Sequence, residues 1–196
     1  RADETRKALD EAKTAQELTK KAKADGVGQF VFLSSMSIYG RETGIITKET
    51  SPAPVTNYGK SKLQAEEGIL PLADESFTVT VLRPPMVYGD GCRGNYNAII
   101  RIVERFPVFP RVNNRRSMIH VDNLSSFVLM ILRERLGGVY FPQDRTYRNT
   151  TEIAREIARK MGKKVYMSYL LGFCVLCLKP FSGTVRKAFG SLVYRD

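Results

Sequence analysis

Three side chains that can handle a proton lie on two nearby stretches of the chain. Ser35 follows the apolar run Val31-Phe32-Leu33, and Tyr58 and Lys62 lie four residues apart in a predicted helix. A phenol in water has a pKa of about 10, which is too high for a base at neutral pH. Residues four apart share a helix face, so the Lys62 ammonium favours the phenolate form of Tyr58. Tyr58 is therefore predicted to be a general base, with Ser35 binding the same substrate hydroxyl.

Removal of a proton from an alcohol leads to oxidation only if a hydride leaves the same carbon, and nicotinamide is the usual acceptor. The spacing Tyr-x-x-x-Lys alone is weak evidence, because such pairs occur by chance on solvated helix faces. It becomes specific here because of two further stretches that end predicted strands. The upstream strand ends in Leu-Ser-Ser-Met-Ser-Ile-Tyr-Gly (33–40), and the downstream strand ends in Leu-Arg-Pro-Pro-Met-Val-Tyr-Gly (82–89).

Helices alternate with strands over the first part of the chain. The pattern predicts helices over 3–25 and 57–73, and buried strands over 29–34 and 77–82. Buried strands joined by helices are typical of a parallel α/β sheet. Residues 41–56 are rich in turn formers and are predicted to be a loop over the carboxyl end of the first strand, where such sheets bind ligands.

Shorter elements follow after residue 90. The pattern predicts helices over 95–105, 122–133 and 149–161, and short strands over 139–141 and 165–167. An apolar helix broken at Pro180 and a basic tail end the chain.

The composition suits one globular domain with a small lobe, since 43% of the 196 residues are hydrophobic. The net charge of +11 comes from dispersed basic residues without a nucleic-acid-binding motif, so an anionic substrate or a membrane surface is favoured over nucleic acid.

Three cysteines without zinc-ligand spacing and a single histidine predict no metal site and a reducing, cytoplasmic location.

The apolar run 170–178 is too short to cross a bilayer and has two interpretations. It is a helix packed on the small lobe, with Cys174 and Cys177 acting as small buried hydrophobes. Alternatively, since basic and apolar residues alternate near it, it makes a weak contact with a membrane surface or a lipid-linked substrate.

Four stretches resemble successive motifs of the extended short-chain dehydrogenase/reductases, in particular the NAD-dependent epimerase/dehydratase family that includes UDP-glucose 4-epimerase. They are residues 31–40, 57–66, 82–89 and 116–124. Within that family the chain looks most similar to bacterial epimerases and reductases of surface-polysaccharide synthesis, which share runs like 114–118 and 187–190.

The resemblance implies an α/β fold: a partial Rossmann-like, doubly wound parallel sheet with a smaller C-terminal substrate-binding lobe. Residues 1–90 would be the C-terminal half of the NAD-binding domain. Residues 91–196 would mainly form the substrate-binding lobe, with about 115–135 returning to the Rossmann-like core.

The resemblance also implies roles around the nicotinamide. Tyr58 would be the catalytic base, Lys62 would bind the nicotinamide ribose, and Ser35 would be the third catalytic residue. Pro84 and Pro85 would pass the nicotinamide ring.

Four further residues would meet the substrate. Ser37 would lie near the sugar, and Asn95 and Arg116 near the diphosphate, which suits the planar fork of arginine. Met86 stands where many nucleotide-sugar epimerases have an asparagine, so the sugar nucleotide is not defined by the sequence.

The glycine-rich strand-turn-helix that binds the cofactor pyrophosphate in this family has no counterpart in the sequence. We therefore expect this chain alone to bind NAD weakly. Because it also begins at Arg1 rather than methionine, we expect it to be part of a longer protein.

The predicted function is an NAD-dependent nucleotide-sugar 4-epimerase, or a close relative, of bacterial polysaccharide biosynthesis, acting through a 4-keto sugar on a nucleotide-sugar or lipid-linked substrate. An NAD(P)H-dependent 4-keto-sugar reductase and a non-catalytic binding module are the alternatives. The resemblance further implies a homodimer that packs through the helices predicted over 3–25 and 57–73.

Overall fold

Helices and parallel strands build the protein from two units. The computed structural model describes residues 2–92 and 94–195. Within these residues, unit 1 contains 2–41, 49–85 and 122–143, and unit 2 contains 42–48, 86–121 and 144–195.

The elements follow one another in short alternation. The helices are α1 (Ala2–Ala24), α2 (Asn57–Ile69), α3 (Asn95–Arg105), α4 (Val121–Arg133), α5 (Thr150–Lys160), α6 (Tyr169–Leu178) and α7 (Gly183–Phe189). The strands are β1 (Gln29–Leu33), β2 (Gly44–Ile46), β3 (Thr78–Leu82), β4 (Met86–Tyr88), β5 (Val108–Pro110), β6 (Met118–His120), β7 (Gly138–Tyr140), β8 (Tyr166–Ser168) and β9 (Leu192–Tyr194). Two 3₁₀ helices cover Met36–Tyr39 and Leu70–Leu72.

Unit 1 is a three-stranded parallel sheet in the order β1-β3-β7 with helices packed on it. Val31 is opposite Thr80 in the register. The helices α1 and α2 lie side by side, and Ala12 and Ala65 are buried with Ile69 in a cluster that includes Phe77 and Val79 of the sheet. Small alanine side chains let the two helix backbones approach closely.

Unit 2 contains three parallel two-stranded ladders, β2–β9, β4–β6 and β5–β8. Its core is made by apolar residues one turn apart on α3 and α5 together with strand residues, among them Val103, Phe109, Met118, Ile153 and Ile157. The 3.6-residue period that predicted these two helices therefore also identifies the faces that they bury.

The α/β class with parallel strands is confirmed. Three local predictions were wrong. The strand over 29–34 was predicted to be buried, but β1 is half-buried and Leu33 is 47% exposed, since β1 lies at the edge of the sheet. The predicted loop 41–56 contains β2, whose three residues are too few to show a strand period but pair with β9. The helix predicted over 57–73 ends at Ile69 and continues as a 3₁₀ helix containing Pro71, whose ring and missing N–H prevent an α-helix from continuing. The assignment of a cofactor-binding and a substrate-binding part stays a prediction.

Among the described residues, no helix is both long enough and apolar enough to cross a membrane.

Candidate active site

Ser35 lies at the carboxyl end of β1, where the chain turns into a 3₁₀ helix. The backbone N–H of Ser34 donates to the carbonyl of Leu82 (2.7 Å), so the end of β1 stays attached to the end of β3. Ser35 then caps the 3₁₀ helix, since its Oγ accepts the N–H of Ser37 (3.1 Å). The same hydroxyl donates to the Oγ of Ser37 (3.1 Å). The two predicted site serines are therefore neighbours.

Pro84 and Pro85 follow β3 and are buried. The carbonyl of Pro84 accepts the N–H of Met36 (3.0 Å), directly after Ser35 in the chain. Because proline fixes its own φ angle, this segment is rigid where it supports the serine-containing turn.

Tyr58 lies in the first turn of α2, and the helix start is fixed by Thr56. The Thr56 hydroxyl accepts the backbone N–H of Gly59 (3.1 Å), which satisfies one of the free donors of the helix end. Tyr58 is 50% exposed, so its phenol remains accessible to a substrate.

Lys62 lies one turn after Tyr58, and its ammonium is close to the tyrosine ring. Its Nζ lies 5.8 Å from the ring centroid of Tyr58 and 4.8 Å from that of Phe32. The ammonium donates to the carbonyl of Leu33 (2.9 Å). Burial lowers the pKa of Lys62 from its ordinary value, against the opposing effect of Glu11 and Glu66. The structure therefore brings the predicted base and its cation together.

Two glycines that the sequence analysis did not select hold this site together. A Cβ on Gly59 would lie 2.5 Å from the carbonyl oxygen of Ser37, so α2 packs against the 3₁₀ helix through a glycine. Gly40 has φ of +62°, and a Cβ there would overlap the carbonyl oxygen of Ala53. Both follow tyrosines in the motifs Tyr39-Gly40 and Tyr58-Gly59, which is the signal that marks them in the sequence.

A buried ion pair lies beneath the site. Glu66, one turn after Lys62 on α2, is 1% exposed and accepts two hydrogen bonds from Arg83 Nε (3.2 and 3.1 Å) and one from its Nη2 (2.6 Å). Arg83 Nη1 also donates to the hydroxyl of Tyr39 (2.8 Å). Arg83 follows β3, so this network joins the helix of Tyr58 to the sheet and to the 3₁₀ helix.

An open cavity of about 780 Å³ lies beside Lys62, between α1, α2 and β1. Phe32 and Ser61 line it together with Lys62, and α1 contributes Asp10 and Glu11 to its rim. The ammonium and the serine suit a ribose, so the nicotinamide end of a dinucleotide fits the residues present. Arg6 of α1 also lines the cavity beside Asp10 and Glu11, so its lining carries charges of both signs. No cluster of three or more His, Cys, Asp or Glu side chains that could hold a metal occurs within residues 2–92 and 94–195.

The three remaining predicted residues lie in unit 2. Met86 is half-buried in β4 opposite Met118, and Asn95 is exposed at the first residue of α3.

Arg116 is 8% exposed, and its Nη1 donates to the carbonyls of Lys187 (2.9 Å) and Gly190 (3.2 Å) at the end of α7. Burial lowers the pKa of Arg116. This guanidinium is therefore held by backbone carbonyls at the C-terminus of α7, and the structure does not show it facing an open anion site.

Residues 3–140 match the NAD dependent epimerase/dehydratase family, and the chain belongs to that family. It is 30% identical over 182 residues to a UDP-glucose 4-epimerase of Vibrio cholerae, covering 88% of this chain and 53% of that protein. It is 29% identical over 173 residues to an N-acetyl-alpha-D-glucosaminyl-diphospho-ditrans,octacis-undecaprenol 4-epimerase of Escherichia coli O157:H7, covering 81% and 52% of the two chains. The chain thus spans about half the length of these relatives.

The same fold occurs in a UDP-glucuronic acid 4-epimerase from Bacillus cereus solved in complex with NAD. The TM-score is 0.68 at 18% identity, and the match covers 93% of this chain and 56% of that one. The family membership and the Rossmann-like fold are therefore confirmed.

Proposed function

We propose that this chain carries the proton-transfer part of an NAD-dependent nucleotide-sugar 4-epimerase of bacterial polysaccharide biosynthesis. The observation that carries the proposal is the Tyr58–Lys62 pair on α2, packed through Gly59 against the Ser35–Ser37 turn. Family membership and the 4-epimerase names of two relatives support the reaction type.

Tyr58, beside the Lys62 ammonium on the same face of α2, removes the proton from the C4 hydroxyl of the sugar as the general base. Ser35 binds the same hydroxyl and orients it. Tyr58 returns the proton after the 4-keto sugar has turned in the site, so the configuration at C4 inverts without net oxidation.

NAD, held at its nicotinamide end by Lys62, Pro84 and Pro85, supplies the hydride chemistry when bound. The hydrogen bond of Lys62 to the Leu33 carbonyl leaves the remaining ammonium protons for a ribose hydroxyl. If the protein uses NADP rather than NAD, the alternative function of a 4-keto-sugar reductase is indicated instead.

The substrate is a nucleotide sugar or a lipid-linked sugar diphosphate. Ser37 binds the sugar, and Asn95 and the neighbourhood of Met86 bind the diphosphate, while Arg116 stays bound to the carbonyls of Lys187 and Gly190. The E. coli relative, whose name includes a diphospho-undecaprenol sugar, supports the lipid-linked form. The protein acts as a homodimer that packs through α1 and α2.

The test uses the native gene product that contains this chain. It is incubated with a nucleotide sugar and catalytic NAD, and C4 inversion is followed by NMR. We expect inversion, and a loss of about 10²-fold or more in kcat for Tyr58→Phe, since a positioned base contributes about that factor. The matched control is Tyr166→Phe, an exposed tyrosine of β8, which should leave kcat unchanged.

Three results contradict the proposal. Stoichiometric NADPH consumption on a 4-keto sugar nucleotide would establish the reductase. A folded protein without turnover would favour a binding module. Full activity of Tyr58→Phe would show that another group is the base.

A further inference from the structure

The helix α6 is apolar over its whole length and yet exposed. Its sequence, Tyr169 to Leu178, contains no charged residue. Leu170 is 73% exposed, Phe173 63%, and Phe181, just after the helix, 89%. An exposed surface of this kind usually has a binding partner.

Among the described residues, α6 packs closely on the rest of unit 2 along one side, and Arg111 also lies over the ring of Tyr169. Gly172 is buried, and a Cβ there would overlap the carbonyl oxygen of Arg111, so the helix lies directly on that backbone segment. Val175 and Lys179, three and seven residues further on, are half-buried on the same side. The other sides expose large apolar groups and two thiols, namely Tyr169, Leu170, Phe173, Cys174, Leu176, Cys177 and Leu178.

The chain segment that contains α6 is basic, although Arg186 is paired with Glu42 (3.0 Å) and Lys160 with Asp90 (3.2 Å). Residues 157–195 contain no aspartate or glutamate, and their basic residues are Arg159, Lys160, Lys163, Lys164, Lys179, Arg186, Lys187 and Arg195. Arg111 lies over the ring of Tyr169 at the N-terminal end of the helix (4.3 Å), and Lys179 is its C-cap. A recess of about 360 Å³ beside α6 is lined by Arg111, Lys179 and Phe173. Cations at both ends of an apolar surface are complementary to lipid phosphates above acyl chains.

A protein partner fits these features less well. A partner groove usually binds a narrow stripe of residues on one helix face, whereas α6 is apolar on every exposed side.

A helix of ten residues is about 15 Å long, half the thickness of the hydrocarbon layer, so it cannot span a bilayer. It can lie in the interface, with Tyr169 and Phe181 at the headgroup level.

We propose that α6 and Phe181 are a membrane-docking surface that inserts into the interface of a bilayer containing anionic phospholipid. The basic residues around α6 bind the headgroup phosphates, and the outward side chains of α6 lie among the upper acyl chains. This proposal does not depend on the proposed reaction, because docking requires neither cofactor nor sugar.

The test measures co-sedimentation of the chain with vesicles of phosphatidylglycerol and phosphatidylcholine in equal parts, and with vesicles of phosphatidylcholine alone. We expect binding to the anionic vesicles and at least about tenfold weaker partitioning to the neutral ones, since each basic residue near the surface adds attraction. The variant Leu170→Ser/Phe173→Ser should lower partitioning to anionic vesicles by at least about tenfold, because two large apolar groups no longer insert.

Leu129→Ser is the matched control, since Leu129 is a similarly exposed leucine on α4 and the substitution should leave partitioning unchanged. Circular dichroism establishes that each variant is folded, which is expected because the changed side chains are exposed.

The native cysteines provide a second measurement that locates the contact. Cys174 and Cys177 are exposed on α6, while Cys92 is partly buried elsewhere in unit 2. Anionic vesicles should slow maleimide labelling of Cys174 and Cys177 several-fold and leave that of Cys92 unchanged.

Three results overturn the proposal. In the first, the chain does not bind anionic vesicles. In the second, Leu170→Ser/Phe173→Ser binds as well as the unchanged chain, so that another basic surface is responsible. In the third, Cys174 and Cys177 are already protected in the absence of lipid, which means that another copy of the chain or a protein partner covers α6.

Discussion

The reactive side chains of the site depend on small residues that bring their backbones together. Tyr58 and Ser35 come from different elements, and those elements pack at Gly59, where a Cβ would lie 2.5 Å from the carbonyl oxygen of Ser37. A methyl group at this position would move α2 away from the 3₁₀ helix, and the phenol would move with it.

Gly59→Ala tests this dependence. We expect a loss of about 1–3 kcal/mol in the free energy of unfolding, since the added methyl overlaps backbone that has little room to move. Urea denaturation followed by circular dichroism measures the loss.

The control for Gly59 is Gly68→Ala on the same helix. The nearest atoms to a Cβ at Gly68 belong to the side chain of Gln16, which would move at the cost of its hydrogen bond to the carbonyl of Gln64 (2.8 Å). Its effect should stay within about 1 kcal/mol of zero, because the gain in helix propensity offsets the displaced glutamine. Equal losses for both variants would show that the contact of Gly59 with Ser37 has no special role.

The sequence identified the candidate reactive residues of the site but not the residues that support them. Ser35, Tyr58 and Lys62 could be selected because spacing on a helix and position at a strand end are local properties. Gly59 and Glu66 could not, since what they contact depends on how distant segments pack. The roles assigned to Asn95, Met86 and Arg116 stay predictions, and the carbonyl partners of Arg116 could not be predicted from its neighbours in the chain.

At the scale of elements, α2 is attached to β3 by a buried ion pair. Arg83 donates three hydrogen bonds to the carboxylate of Glu66, and the side chain of Glu66 is 1% exposed. Charges buried in this way are costly to leave unpaired. The orientation of the helix that carries Tyr58 and Lys62 therefore depends on this pair.

Glu66→Gln should lower the free energy of unfolding by about 3–5 kcal/mol, because it leaves the Arg83 guanidinium buried without a counterion. The double variant Glu66→Leu/Arg83→Met should lose less than Glu66→Gln alone, since both charges are removed. Denaturation curves of the three proteins measure both effects.

The exposed pair Lys21–Asp25 on α1 provides the comparison for Glu66. Asp25→Asn should change the free energy of unfolding by less than about 1 kcal/mol, since solvent screens exposed pairs. A Glu66→Gln effect as small as that of Asp25→Asn would contradict the proposed anchoring of α2.

Elements with a clear period were predictable, and the short strands β7 and β8 lie within one residue of their predicted ranges, but β2 was not predicted. The apolar spacing of α3 matches its observed bounds, whereas β2 shows no period and forms only by pairing with β9. The interpretation of Cys174 and Cys177 as buried hydrophobes was wrong. An apolar run predicts burial only where enough neighbouring chain covers it, and α6 is covered along one side alone.

At the scale of the whole molecule, the proposed homodimer can be tested with a substitution on α1. Leu18 is an exposed leucine of this helix, and a charge there should oppose packing against a second copy. Sedimentation velocity of the native gene product should show a dimer, and Leu18→Glu should shift it towards the monomer. Leu129→Glu, on α4, should not. A monomer at all concentrations would exclude the dimer.

The three-stranded sheet of unit 1 has β1 at one edge, and this position affects the behaviour of the chain in solution. β1 is Gln-Phe-Val-Phe-Leu, without the lysine or proline that usually protects an edge strand, so its outer hydrogen-bonding groups can pair with another chain. The net charge of +11 opposes such encounters through repulsion between copies. Because salt shortens the range of that repulsion to about 10 Å at 0.1 M, these 196 residues on their own should stay dispersed at low ionic strength and aggregate as salt is added.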